Sequence, residues 1–211
     1  MLIRHHQRGF SLIELMIGLT LVAMLLTFGM PSFTVWLQNT RIRSAAEALQ
    51  NGLQLARAEA VRRNTSTVFT LTNAAPNAAN VNSATPSSTG NNWFLRVFQN
   101  GGAYSPADFI QAAPVAGNGA LVTLQRANGG GYSAVDSLIF DGLGQVAAVS
   151  NGGALITSHT EIKADISSAS GACQHAAAPG EMRCLQLTVM RGGQVRMCDP
   201  KVTDSADSRK C

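Results

Sequence analysis

Residues 9–37 read Gly9-Phe10-Ser11-Leu12-Ile13-Glu14-Leu15-Met16, continuing IGLTLVAMLLTFGMPSFTVWL to Leu37. The stretch holds a single charge, Glu14, and the 23 residues from Leu15 to Leu37 hold none. At about 1.5 Å of rise per residue, roughly 20 helical residues cross a hydrocarbon core, so this run is long enough to span one. Upstream, MLIRHHQR carries Arg4 and Arg8. A basic flank on that side stays in the cytoplasm and sends the rest of the chain outward. A secretory signal peptide would have a shorter apolar core and a small-residue cleavage site, whereas this run passes Pro31 to Trp36 without one. Glu14 is the exception to its surroundings, because a carboxylate at the bilayer centre costs roughly 2.5–3.5 kcal/mol, and less near the edge.

Beyond the apolar run, Thr40 to Asn64 has the period of an amphipathic helix. Ile42, Ala45, Ala46, Leu49, Leu53, Ala56 and Ala60 recur at steps of three and four, which predicts one buried face. Arg43, Glu47, Arg57, Glu59, Arg62 and Arg63 fall mostly on the other faces. With no strong breaker between Pro31 and Asn64, the two segments read as one long helix, kinked at Pro31. After Asn64 the pattern changes to short apolar runs between Gly, Asn and Ser. Strands are predicted at 65–72, 92–99, 119–126, 137–140, 145–150, 155–166, 183–191 and 194–198. The polar stretch 72–92 reads as a long loop. The fold class is therefore α+β, one long N-terminal helix packed on mainly antiparallel β structure.

The 211 residues fit one ordinary domain plus an appendage, and a hydrophobic share of 45% excludes a disordered chain. No G-x-S-x-G, phosphate-binding loop or H-E-x-x-H motif occurs. His5 and His6 belong to the basic segment, and His159 and His175 lie in polar stretches where they read as surface residues. No catalytic residue, cofactor or metal is expected. Cys173, Cys184, Cys198 and Cys211 lack metal-site spacing, and clustered, even-numbered cysteines point to disulfides and an oxidising compartment. Met190-Arg191-Gly192-Gly193-Gln194 reads as a hairpin turn. A tight turn at Gly192-Gly193 would set Arg191 opposite Gln194, Arg196 opposite Val189 and Cys198 opposite Leu187. Of three connectivities, Cys173–Cys184 with Cys198–Cys211 is favoured, because these pairs close short polar loops and a 184–198 bond fits that register poorly; the other connectivities stay open.

Gly9-Phe10-Ser11-Leu12-Ile13-Glu14-Leu15-Met16 after a basic leader resembles the N-terminal signal of type IV prepilins. Leu53-Gln54-Leu55-Ala56-Arg57-Ala58-Glu59-Ala60-Val61-Arg62-Arg63-Asn64 is similar to the helix end of the GspH/FimT/FimU minor pilins. Ile139-Phe140-Asp141-Gly142-Leu143-Gly144-Gln145-Val146 resembles their F-x-x-x-G segment, and the glycine-containing C-terminal hairpin fits as well. The resemblance implies a type IV pilin-like fold and a structural subunit. It divides the chain into a leader (1–9), a transmembrane and filament-core helix (10–37), its amphipathic continuation (38–64) and a β-rich periplasmic domain (65–211). It further implies cleavage between Gly9 and Phe10 by a prepilin peptidase and N-methylation of Phe10. Glu14 of one subunit would neutralise the new amine of another, offsetting the cost of an unpaired buried charge. Pro31 stands where the family often has a kink, and the Cys198–Cys211 loop resembles the C-terminal disulfide loop of many pilins. The implied partners are membrane lipid before assembly, the inner-membrane assembly platform, and other major and minor pilins. The implied address is the inner membrane, then a pilus or pseudopilus filament. A minor pseudopilin of type II secretion is an alternative.

DNA is the competing partner. Arg191, Arg196, Lys201 and Lys210 crowd the C-terminal region, and phosphate binding needs such clusters. DNA-uptake pilins of the same kind carry a G-R-x-R hairpin, of which Gly193-Gln194-Val195-Arg196 keeps the second arginine. The formal net charge of +4, part of it in Arg4 and Arg8, does not demand an anionic partner, and Asp199, Asp204 and Asp207 dilute the field. The balance favours a solvated face.

Overall fold

The computed structural model describes residues 9–99, 104–115, 119–175 and 178–211. The chain divides into two units, the first ending at Leu37 and the second running Gln38–Cys211. Helix α1 (Leu12–Arg63) contributes to both. Arg4, His5, His6 and Arg8 of the leader lie outside the described residues.

In the first unit α1 starts where the Ser11 carbonyl accepts the N–H groups of Glu14 and Leu15, each at 3.1 Å. Glu14 therefore sits in the first turn, where the positive end of the helix dipole favours a carboxylate. The Thr20 and Thr27 hydroxyls donate to the Ile17 and Met24 carbonyls, both at 2.8 Å, so these polar groups find partners inside their own helix. Two helical spans, Leu12–Thr27 and Ser32–Arg63, are separated by a short break that holds Pro31. Among the described residues no single helix is long and apolar enough to cross a membrane; the pair together meets that test by length and composition.

In the second unit α1 buries Ile42, Ala45, Ala46, Leu49, Leu53, Ala56 and Ala60 completely. These are the seven residues whose spacing predicts the buried face. Each of Ile42, Leu49 and Leu53 contributes roughly 1.5–3 kcal/mol through burial. The helix stops at Asn64, which takes φ 49°. Asn64 N–H donates to the Val61 carbonyl and Thr65 N–H to the Ala60 carbonyl. This pair of bonds needs a left-handed residue at the turn, a conformation asparagine tolerates better than most.

Among the described residues thirteen strands follow: β1 (Thr67–Thr72), β2 (Asn92–Val97), β3 (Phe109–Pro114), β4 (Ala120–Asn128), β5 (Gly131–Ala134), β6 (Ser137–Phe140), β7 (Val146–Asn151), β8 (Ala154–Ile156), β9 (Glu161–Ser168), β10 (Gln174–His175), β11 (Ala178–Pro179), β12 (Leu185–Met190) and β13 (Val195–Cys198). They form a six-stranded sheet in the order β3-β2-β1-β6-β7-β8 and a five-stranded sheet in the order β13-β12-β9-β4-β5, beside the small β10-β11 pair. All pairings between these strands are antiparallel.

Three expectations need correction. β3, β5 and the short pair β10 and β11 are strands outside the expected set. The single strand expected at 155–166 is two, β8 in one sheet and β9 in the other, because the chain changes sheets through Thr157–Thr160. The stretch 72–92 is loop for most of its length but carries a 3₁₀ turn, Val81–Ser83, whose Val81 is buried.

At Gly52 α1 lies directly on side chains of the six-stranded sheet. A Cβ there would lie 2.8 Å from Trp93 Cε2 and 3.0 Å from Phe69 Cε2. Those two rings stack with centroids 5.4 Å apart and are buried, so neither can retreat. Nearby, the Thr67 hydroxyl donates to the Ala56 carbonyl at 2.9 Å, tying β1 to the helix backbone. Alanine is a better helix former than glycine by about 1 kcal/mol, but overpacking a filled core costs about 1–3 kcal/mol. Gly52→Ala is therefore expected to lower the thermal unfolding midpoint of the detergent-solubilised protein. A midpoint at or above wild type would show that α1 can lift from the sheet at no cost.

Candidate functional site

Gly9 and Phe10 precede α1 and are exposed, Phe10 at 84%. From Phe10 to Leu26 every large apolar side chain is at least 54% exposed, on all sides of the helix. Water does not tolerate a surface of that kind without lipid or protein to cover it. Glu14 is the only carboxylate in the segment, four residues from Phe10.

The three segments that resemble the minor pilins meet in space. The β6–β7 turn is held by Asp141, whose carboxylate accepts the N–H groups of Leu143 and Gln145, both at 2.9 Å. Gly142 lies against Asn64, with a Cβ placed there 2.9 Å from Asn64 Oδ1. Gly144, at φ 76°, lies against Val61 and Arg57. Gly193 of the β12–β13 turn, at φ 75°, abuts the Gly144 carbonyl and the Arg57 guanidinium. The Val146 N–H donates to the Arg191 carbonyl at 2.8 Å, which fastens one turn to the other. Glu59 turns away to accept from Arg62 and Arg63. Hydrogen bonds from Arg62 and then Arg63 hold its carboxyl down at about 2. This junction is a packing site that fixes the helix end to both sheets.

The β12–β13 hairpin differs from the expected register by one residue. Thr188 pairs with Arg196, Val189 with Val195 and Gln186 with Cys198. Gly193 N–H donates to the Met190 carbonyl and Met190 N–H to the Gln194 carbonyl, so the loop has three residues, Arg191, Gly192 and Gly193. A three-residue loop with glycine left-handed at its last position is a common hairpin alternative to the two-residue turn. Arg191 is thus a loop residue without a cross-strand partner, and it does not share a side with Gln194 and Arg196.

The other candidate DNA-binding residues are tied elsewhere. Arg196 donates to the carbonyls of Ser208, at 3.1 Å, and Lys210. Lys201 Nζ donates to Gln174 Oε1 at 2.7 Å. Lys210 shares a shallow hollow with Arg196, but Asp207 also lines it. Arg183 forms an ion pair with the buried Asp199 at 2.8 Å, and Arg209 pairs with Asp207 at 2.7 Å. Arginine hydrogen bonds, followed by the Arg209 backbone N–H, hold the Asp207 carboxyl at about 2. The structure brings two of the four residues together and leaves no continuous basic face among them. The disulfides are Cys173–Cys184 and Cys198–Cys211, the pairing that the short polar loops favour.

The sequence reading missed His159. It is 5% exposed and is not a surface residue. It stands where the chain passes from β8 to β9, with Nε2 3.1 Å from the Val146 carbonyl oxygen. A shallow hollow opens beside it, lined also by Arg126, Tyr132 and Arg191. The only signal for it in the sequence is the interruption of apolar alternation at Thr157–Thr160.

Residues 4–30 match the family model of the prokaryotic N-terminal methylation motif, and residues 45–174 match that of the type II transport protein GspH. The chain belongs to the GspH family. It is thus a chain of the GspH pilin and pseudopilin family with the methylation motif at its N-terminus. No match is found among the curated proteins. The chain is similar to the type IV minor pilin FimU of Pseudomonas aeruginosa in two crystal forms. Identities are 18% and 19%, TM-scores 0.43 and 0.47, with 74% and 75% of this chain and 90% and 88% of FimU covered. It is also similar to the minor pseudopilin EpsH from the type 2 secretion system of Vibrio cholerae, at 8% identity and a TM-score of 0.43, covering 77% of this chain and 99% of EpsH.

The junction of turns gives a direct test. Gly193→Ala places a methyl group against the Gly144 carbonyl at a left-handed φ. Left-handed backbone costs about 1–2 kcal/mol for a non-glycine residue and overpacking about 1–3 kcal/mol more. The variant is expected to lose roughly 2–5 kcal/mol of stability in denaturant unfolding, whereas Gly192→Ala, whose Cβ meets nothing within 4 Å, should stay close to wild type.

Proposed function

We propose that this chain is the precursor of a structural filament subunit whose activity is assembly. Prepilin peptidase cuts between Gly9 and Phe10 and the new N-terminus is methylated. Residues 10–37 then hold the subunit in the inner membrane with residues 38–211 in the periplasm. The same helix later enters the filament core among other pilins. The observation that carries the reading is the first unit of α1, apolar on all sides with one carboxylate in its first turn. A lipid bilayer and a bundle of identical helices are the two environments that cover such a surface. Glu14 gives a reason for moving from one to the other. In lipid its carboxylate has no partner of opposite charge, whereas in a bundle the methylated amine of a neighbour's Phe10 neutralises it. The type II transport description of the matched family favours a second reading, a minor pseudopilin of a secretion filament, with the same anchor and the same chemistry. Deleting the gene and measuring pilus-dependent motility against protein secretion separates the two.

Processing and assembly are tested separately. Gly9→Val crowds the scissile bond and should leave the precursor uncut, while mass spectrometry of the wild-type mature protein should begin at N-methylated Phe10. A mature N-terminus beyond Pro31 would overturn the reading. Glu14→Ala should leave membrane insertion intact or improved, since it removes the one costly group. Its incorporation into sheared filaments should fall at least tenfold, and normal incorporation would show that the charge pairing is not used.

A further inference from the structure

The hollow beside His159 adjoins the junction of turns through Arg191 and shares no residue with the N-terminal part of α1 that the assembly reading uses. Its walls come from the β4–β5 hairpin, the Ser158–Thr160 crossing and the β12–β13 turn. Two guanidinium-bearing residues, Arg126 and Arg191, line it, and no carboxylate does among the described residues. Arg126 Nε is buried and has no hydrogen-bond partner, and its one long bond, from a terminal nitrogen to the Ser158 carbonyl, is 3.4 Å. Arg191 forms no ion pair among the described residues. His159, 5% exposed, turns Nε2 to the Val146 carbonyl, and the Thr157 backbone also bonds the ring.

Two positive side chains without counter-charge, one of them with a buried guanidinium N–H that lacks a partner, make an uncompensated arrangement, because buried polar groups in folded proteins are ordinarily satisfied. Arg43, Arg62 and Arg209 are paired with carboxylates, and Arg196 with backbone carbonyls. Burial, and then the fields of Arg191 and Arg126, push the His159 pKa down. Near neutral pH the imidazole is therefore uncharged, and the fixed charge at the hollow is that of the two guanidinium groups. A planar guanidinium fork matches the oxygens of a phosphoryl group. A dianion neutralises both arginines, whereas a phosphodiester or a single carboxylate leaves one of them uncompensated.

We propose that this hollow is a binding site for a dianionic phosphate-class group, held by Arg126 and Arg191 with His159 beside it. The ligand is free phosphate or a phosphate monoester; both present the same dianionic oxygens.

The test uses the full chain in neutral detergent at pH 7.5 and constant ionic strength, titrated calorimetrically with inorganic phosphate, glycerol 3-phosphate and dimethyl phosphate. The first two are expected to bind saturably at one site, and the monoanionic diester at least tenfold more weakly. Arg126→Gln and Arg191→Gln should each weaken phosphate binding at least tenfold, with unfolding midpoints near wild type. Arg209→Gln, the same charge change at an arginine already paired with Asp207, should stay within twofold. A bound dianion stabilises the imidazolium, so the NMR-measured pKa of His159 should rise on saturation with phosphate. Preference for inorganic phosphate would identify the free ion as ligand, and preference for glycerol 3-phosphate a phosphorylated molecule; either supports the site. The proposal is overturned by absence of saturable binding, by equal losses in all three arginine variants, or by a diester binding as tightly as the monoester.

Discussion

The second unit depends on how closely one helix face can approach a sheet. Ala45, Ala46, Gly52, Ala56 and Ala60 keep that face shallow. Phe69 and Trp93 can therefore lie directly beneath the helix backbone, and the Thr67 hydroxyl can reach the Ala56 carbonyl. A larger residue on this face would push the helix outward and disturb the places where Gly142, Gly144 and Gly193 press on its end. Small residues are thus needed at both ends of the contact, on the helix in the middle and on the turns at its terminus.

Much of this was readable from the residues because it repeats. The buried face of α1 is written at steps of three and four over some five turns, so periodicity alone picks out all seven of its residues. Strands β1, β2, β6 and β12 carry their own apolar runs and were equally visible. What was not visible draws its stability from neighbours. β3, FIQAAP, lies at a sheet edge and ends in proline, and β5 is a four-residue hairpin arm opening on Gly131. Neither has a pattern that distinguishes it from loop. The register of the β12–β13 hairpin turned on whether Gly193 belongs to the loop or to the strand, which its left-handed φ decides and its identity alone does not.

The basic residues near the C-terminus show why spacing in sequence is a poor guide to a charged surface. Asp199 is buried beside Arg183, Asp207 sits with Arg209, and Arg196 is turned to backbone carbonyls. Each pairing uses a charge that the sequence appears to offer to a partner. Conversely, Arg126 and Arg191 are far apart in sequence and become neighbours of one histidine only because the chain changes sheets at Thr157–Thr160. A linear signal such as the methylation motif over residues 4–30 is legible in sequence, whereas a hollow that topology assembles is not.

The strand order has a kinetic consequence. β4 and β5 belong to one sheet yet lie in sequence between β3 and β6 of the other, and β6, β7 and β8 in turn separate β5 from β9. Neither sheet is a continuous stretch of chain, so neither is completed before strands of the other have been laid down. Pairing β4 with β9 closes a loop that contains three strands of the neighbouring sheet. Such non-local pairing makes folding slow relative to a helical bundle of similar size. It also makes the two sheets fold as a single cooperative unit, in which a half-formed domain keeps unpaired strand edges open until the last crossing is made.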